Sequence, residues 1–233
     1  MDISIKKNDR ILVVSPHADD ESIGCGGLLS LFGKQCDILL LTDGRKGHTK
    51  EQYSDEKLLI QTRMDELKNA ADLAGVKEVI FLGIEDGTVN RNKDKIYDYD
   101  ITGYNYIFIP NRFESHMDHR VVWPIFKKMK KMQHANAMIF EYEVWTPLRN
   151  VTWFLDITSV ASNKQRMISQ HISQLADIDY VEKGMALSCY RGMFNNVKYA
   201  EAFLYSEFYG MKKWVYGGLP NNLKEKIKKE IIK

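Results

Sequence analysis

Two short stretches of this 233-residue chain concentrate side chains that can do chemistry. The first, Ser15-Pro16-His17-Ala18-Asp19-Asp20-Glu21, sets an imidazole and three carboxylates directly behind an apolar run. The second is Ser115-His116-Met117-Asp118-His119-Arg120. His17 and Asp20 are three apart, so a tight turn or a first helical turn brings both to one side, where they make a plausible zinc pair. Asp19 must then project differently, beside the metal without binding it, where a general base stands. His116 and His119 repeat the spacing of three. Two histidines plus a carboxylate are a ligand set that leaves zinc one open position. An open position implies hydrolysis or hydration, because the metal lowers the pKa of its water and polarises a carbonyl. One further histidine, off the metal, would stabilise an oxyanion or protonate a leaving group.

Each stretch also has a plainer reading. Asp19 and Asp20 could cap the next helix, and Gly24, Gly26 and Gly27 could serve close helix–sheet packing. Asp118 could favour the dipole of an exposed helix N-terminus. The glycines do not form G-x-G-x-x-G, so a dinucleotide reading is weak.

The elements around these stretches alternate. Apolar runs at 10–15, 36–41, 78–82, 104–109 and 137–142 read as strands, short and continuous enough for a parallel sheet covered on both faces. Helices are expected from about Glu21 to Gly33, Asp55 to Ala74 with Gly75 as C-cap, and Arg120 to Met132. Residues 83–103 read as a loop. Beyond the fifth strand the pattern is less regular: a strand at Thr152–Asp156, a helix at Val160–Leu175 and a surface helix at Leu223–Lys233. Both chemical stretches thus follow strands, at the carboxyl ends where open α/β sheets gather ligands. No Pro/Gly/Ser linker interrupts the chain, so one domain over 1–233 is expected.

Composition restricts the function classes. A formal net charge of +2 gives no global field for nucleic acid. The lysines at 127–131 and 224–229 read as solvated helix faces. No apolar run nears the roughly 18 residues of a membrane span, and the first ten residues contain no signal-peptide apolar core. Cys25, Cys36 and Cys189 are odd in number and widely spaced, so a reducing cytoplasmic setting is the simplest.

The motifs PHADDE and HMDH together resemble the paired signatures of the PIG-L/LmbE-type deacetylases, usually (A/P)HPDDE and HPDH. The resemblance extends over most of residues 10 to 205. It includes Thr42-Asp43-Gly44, Arg63 with Glu66, Ala70-Ala71, Leu73 to Val76, Phe81-Leu82-Gly83, Asp86-Gly87, Lys164 with Ser173-Gln174, and Tyr199 to Phe203. It implies a Rossmann-like three-layer α/β sandwich with a mostly parallel central sheet. It also implies zinc-dependent removal of the N-acetyl group from an N-acetylglucosamine-type sugar, with another divalent transition metal as the alternative. Carried over, it makes His17, Asp20 and His119 the metal ligands and Asp19 the general base. His116 becomes the group that stabilises the tetrahedral intermediate and protonates the amine, Asp118 its orienting partner, and Arg63 a holder of sugar hydroxyls, with a helix-surface arginine paired with Asp65 or Glu66 as the plainer reading of Arg63. Ala18 and Met117 replace the prolines of the two signatures, Arg45 stands where many relatives have glutamate, and His171 stands where tyrosine is common. His171 reads as a packing or surface residue, and His48 and His134 receive no role.

Tyr142 and Trp145, after the fifth strand, are candidates for stacking on a sugar face or aglycone, with core or interface packing as the alternative. A soluble small-molecule amino sugar is the expected partner, drawn from nucleotide sugars, thiol-conjugated glucosamines, lipid-linked sugars and antibiotic intermediates. Two other readings stand beside this one: an amidase of the same site type cutting a different amide such as a thiol conjugate, and a non-catalytic α/β ligand-binding module. Related enzymes often associate into homo-oligomers, but no interface is legible.

Overall fold

The computed structural model describes residues 3–47, 55–176 and 178–207. The expected helix at Leu223–Lys233 and His48 lie outside these residues. The first half alternates strand and helix: β1 (Ile11–Ser15), α1 (Asp20–Phe32), β2 (Cys36–Thr42), α2 (Glu56–Ala74), β3 (Glu78–Ile84), a short α3 (Lys93–Tyr97), β4 (Tyr106–Pro110), α4 (Met117–Met132) and β5 (Met138–Tyr142). Then come β6 (Trp153–Asp156), α5 (Ala161–Ile168), α6 (Tyr180–Met193) and β7 (Ala200–Tyr205).

The strands form one seven-stranded sheet in the order β3-β2-β1-β4-β5-β7-β6. All pairings from β3 to β5 are parallel, and only β7 runs against its neighbours. Helices cover both faces, because β1 is apolar from Ile11 to Val14 and buried along its whole length. Ile11 and Val13 point into a core with Cys25, Leu28, Leu67 and Phe108, and Leu12 and Val14 into a second core with Val122, Phe126 and Met129. The result is the three-layer α/β architecture expected from the sequence. From β1 the chain builds outward through β2 and β3, then returns to place β4 on the other side of β1. That reversal opens a crevice beyond the carboxyl ends of β1 and β4, where open α/β sheets bind ligands.

Local chemistry sets the helix ends. Asp55 caps α2 by accepting from the Lys57 amide, and Gly75 closes it at φ 67°, a conformation that favours glycine. Gly24 on α1 lies so close to the Tyr142 ring that a Cβ there would stand 2.2 Å from it.

Three elements differ from expectation. The 83–103 segment holds the end of β3 and the single-turn α3. The expected helix over Val160–Leu175 is broken: α5 stops at Ile168 and a 3₁₀ turn follows at Ile172–Gln174. Its cause is visible, since the Ser173 amide and hydroxyl both donate to the buried Glu66 carboxylate. α6 was not expected, although its N-cap Asp179 and Glu182 carry an Asp-x-x-Glu start signal, and the Asp179 carboxylate accepts from the Glu182 amide. Cys25, Cys36 and Cys189 are unpaired. Among the described residues no helix is long and apolar enough to cross a membrane.

Candidate metal and catalytic site

β1 ends at Ser15 and β4 at Pro110, so the turn into α1 and the N-terminus of α4 face one another across the crevice. That brings together residues 102 apart in sequence. His17 Nδ1 and His119 Nε2 are 3.1 Å apart, Asp20 Oδ2 lies 3.3 Å from the first and 3.1 Å from the second, and all three side chains are buried. Two ring nitrogens cannot face each other at that distance without a proton or cation between them. The edges of this triangle match the roughly 3.3 Å between donors around a tetrahedral zinc with bonds of about 2.0–2.1 Å. The donor set, two imidazoles and one carboxylate, therefore fits a divalent cation.

The surroundings favour the same occupant. His17 Nε2 is 3.2 Å from Asp86 Oδ1 and 3.7 Å from Asp118 Oδ2, so its outer N–H points at carboxylates, as metal-ligating histidines ordinarily arrange. His17, Asp86 and Asp118 also bring three donor atoms within 4.8 Å of one another, as do His17, His116 and His119. Burial alone would lower the His17 pKa, but Asp118, Asp20 and Asp86 outweigh it and raise it well above the ordinary value. Burial would raise Asp20, yet His119 and His17 drive it far below the carboxylate range. Asp86 follows the same logic and sits at about 2, held down against burial mainly by His17. His119 Nδ1 is buried without a hydrogen-bond partner among the described residues.

Asp19 behaves differently. It precedes α1 but makes no capping hydrogen bond with its side chain, so the plain helix-cap reading does not describe it. Its backbone stands at φ 155° and ψ −30°, a conformation whose cost is of order 1–3 kcal/mol and which persists only where surroundings enforce it. Burial pushes its carboxyl up to about 6, against the opposing pull of Arg63, whose Nη2 is 3.5 Å from Asp19 Oδ1. A carboxylate with a pKa that near neutrality is suited to take and release a proton.

His116 caps α4: its Nδ1 accepts from the Asp118 amide at 3.3 Å, which leaves Nε2 to carry the proton of the neutral ring. The side chain is exposed at the crevice, with its ring 4.7 Å from that of His17. Desolvation, with His17 and His119 nearby, holds its pKa below the ordinary value.

A model of the GlcNAc-PI de-N-acetylase family, PIG-L, matches residues 12–129, which is half of the chain and carries both motifs. The chain belongs to the PIG-L family. It is 26% identical over 218 residues to the diacetylchitobiose deacetylase of Thermococcus kodakarensis, covering 82% of this chain and 81% of that one. Its fold superposes on the N,N'-diacetylchitobiose deacetylase of Pyrococcus horikoshii with a TM-score of 0.72 at 22% identity, covering 84% and 83% of the two chains. It also superposes on GalB, a 4-carboxy-2-hydroxymuconate hydratase of Pseudomonas putida KT2440, with a TM-score of 0.70 at 19% identity over 85% and 96%. At these identities the structural likenesses speak to the fold alone.

The structure also places the other side chains singled out in the sequence of this PIG-L member. Arg63, expected on sugar hydroxyls, is buried and donates to the carbonyls of Gly44 and Ala18 beside Asp19. Tyr142 is wholly buried, its hydroxyl bound to the Val14 carbonyl at 2.8 Å, because the inward face of β5 is core. Trp145 is exposed and packs edge-to-face on Tyr180 at 5.2 Å. Asp118 accepts from the amides of Gly87 and Val89, so its link to His116 runs through its own backbone amide and not its carboxylate. Arg45 pairs with Asp43. His171 is buried, not surface, with Nε2 3.0 Å from Glu21 Oε1. Burial opposes its charge, but Glu21 raises its pKa.

Sequence reasoning gave no role to two carboxylates. Asp86 appears there only within a family turn, yet it abuts His17. Glu114 is buried and accepts from the amides of Val144, Trp145 and Thr146, tying the Trp145 loop to the segment that leads into His116. The adjacency of Glu114 to the second motif is the sole sequence signal for it.

Proposed function

We propose that the chain is a metal-dependent N-deacetylase that hydrolyses the acetamide of an N-acetylglucosamine-type conjugate to acetate and a free amine. The observation that carries this reading is the close triangle of His17 Nδ1, Asp20 Oδ2 and His119 Nε2 with the buried, high-pKa Asp19 beside it. Family membership and the deacetylase names of the relatives support the choice of hydrolysis. His17, Asp20 and His119 would hold the ion, with zinc the first choice for two imidazoles and a carboxylate. Bound there, it supplies Lewis acidity and a water of lowered pKa.

The remaining work falls to the protein. Asp19 takes the proton of the attacking water on its carboxylate, with a pKa near 6 that lets it accept at neutral pH and donate later. Arg63 stands behind it, buried, and limits the directions its carboxylate can take. His116, neutral and with its proton left to Nε2, donates to the carbonyl oxygen as charge builds there. Proton delivery to the departing amine then comes from Asp19 or through His116. Asp86 and Asp118 hold His17 in one tautomer. Trp145, exposed beside this machinery, contacts the part of the substrate beyond the acetamide.

The test is turnover. Zinc-loaded protein incubated with a panel of N-acetylglucosamine conjugates should release acetate and free amine, and a chelator should stop it. Metal binding without turnover on any acetamide would refute the reading. Release of a different acid from a thiol conjugate would favour the related amidase reading.

A further inference from the structure

The strained Asp19 backbone requires a support, and that support leads away from the metal ligands to a residue outside the proposed reaction. The Asp19 amide donates to Glu21 Oε2 at 3.1 Å, and the Ser15 hydroxyl donates to the same oxygen at 3.0 Å. Glu21 Oε1 accepts from Ser22 Oγ at 2.7 Å and from His171 Nε2 at 3.0 Å. His171 Nε2 also lies 3.1 Å from Ser22 Oγ. Glu21 is 0% and His171 1% exposed, so solvent stabilises neither. Among the described residues, His171 is the basic side chain ion-paired with Glu21.

Its own placement is firm. His171 precedes the 3₁₀ turn Ile172–Gln174, and that turn is pinned by the two hydrogen bonds from Ser173 to Glu66. The imidazole is therefore held from the far side of α1, and through Glu21 it reaches the backbone of Asp19. A buried carboxylate that loses its polar partner must seek another, and the Asp19 amide is bound to that same carboxylate.

We propose that His171 is a positioning residue for Asp19: it fixes the Glu21 carboxylate, which fixes the Asp19 amide and so the direction of the Asp19 side chain. This inference rests on the reading of Asp19 as the general base. The experiment therefore has one arm that needs no catalysis. In His171→Phe the imidazole is replaced by a ring without a donor. In His171→Gln a side-chain amide that can donate to Glu21 remains.

Native-state hydrogen exchange at the Asp19 amide should quicken at least roughly tenfold in His171→Phe and stay within roughly threefold of wild type in His171→Gln. In turnover, His171→Phe should lose roughly ten- to a hundredfold in kcat with KM within roughly twofold, and His171→Gln should recover most of it. Should His171→Phe not fold, His171→Asn, too short to reach Glu21, takes its place with the same expected outcomes. A wild-type exchange rate at Asp19 in the Phe variant overturns the proposal whatever the activity, and so does an equal kcat loss in the Phe and Gln variants. Wild-type protein inactive on every acetamide would sink the deacetylase reading alone, because the exchange arm would still decide what His171 does.

Discussion

Replacing Asp19 by asparagine separates two consequences of one buried carboxylate. The substitution keeps size and shape, and asparagine tolerates unusual positive φ as well as aspartate does, so the backbone at φ 155° need not change. In the metal-loaded protein the loss of a proton acceptor should lower kcat by about 10²–10⁴. The metal content should stay, because the triangle of His17, Asp20 and His119 is untouched. The metal-free protein should respond in the opposite sense. Folding moves the Asp19 carboxyl from its ordinary 3.8 to about 6, so the folded state prefers it protonated. A raised carboxyl pKa means stability that is full below pH 3.8 and is lost as pH climbs through 6. At about 1.4 kcal/mol per pH unit the loss is about 3 kcal/mol by pH 8. Asparagine, always neutral, escapes it. Denaturant unfolding under chelation should therefore find Asp19→Asn more stable than wild type by about 3 kcal/mol at pH 8, with the gap closing towards pH 4. Chelation matters, because a bound cation would hold Asp19 ionised and mask the effect. An Asn variant that keeps wild-type turnover, or one no more stable at pH 8, would show that burial and charge around Asp19 have been misjudged.

Other residues yield their own outcomes. Asp86→Asn should weaken zinc binding about 10–100-fold in a chelator competition, because the carboxylate at His17 Nε2 is replaced by a neutral amide. Trp145→Ala should raise KM about three- to tenfold and leave kcat within about twofold if the exposed indole, on the loop that Glu114 holds, contacts substrate as proposed; a kcat effect alone would contradict that proposal. Lys164→Ala should cost about 3–5 kcal/mol in urea unfolding, because the buried Glu201 loses the ammonium 2.7 Å away.

Much of this architecture was legible because it is local. The strands of the parallel half announce themselves as apolar runs, and both chemical motifs follow strand ends, so the meeting of His17, Asp20 and His119 needed only that β1 and β4 be neighbours. What the sequence hid is what depends on distant partners. Nothing near Arg63 says that its guanidinium turns inward to the Ala18 and Gly44 carbonyls, and nothing near Tyr142 says that its hydroxyl ends on Val14. His171 looks like an ordinary polar helix position until Glu21, 150 residues away, is seen against it. The split of the 160–175 segment likewise follows from Glu66 taking an amide that a continuous helix would have used. α6 was hidden for another reason: the face it buries is Gly184, Ser188, Arg191 and Gly192, so no apolar stripe marks it, and its strongest signal was a two-residue cap.

The Glu114 carboxylate has a consequence for anyone altering what the protein accepts. One side chain grips three successive amides of the Val144–Thr146 loop from a position two residues before His116. The part of the molecule that would choose among substrates thus hangs from the same peg as the part that would act on them. Redesign of that loop should keep its backbone and vary only its side chains. A replacement that alters the backbone path would release Glu114 and with it the entry to α4, so that a change meant for selectivity would be felt as a loss of rate.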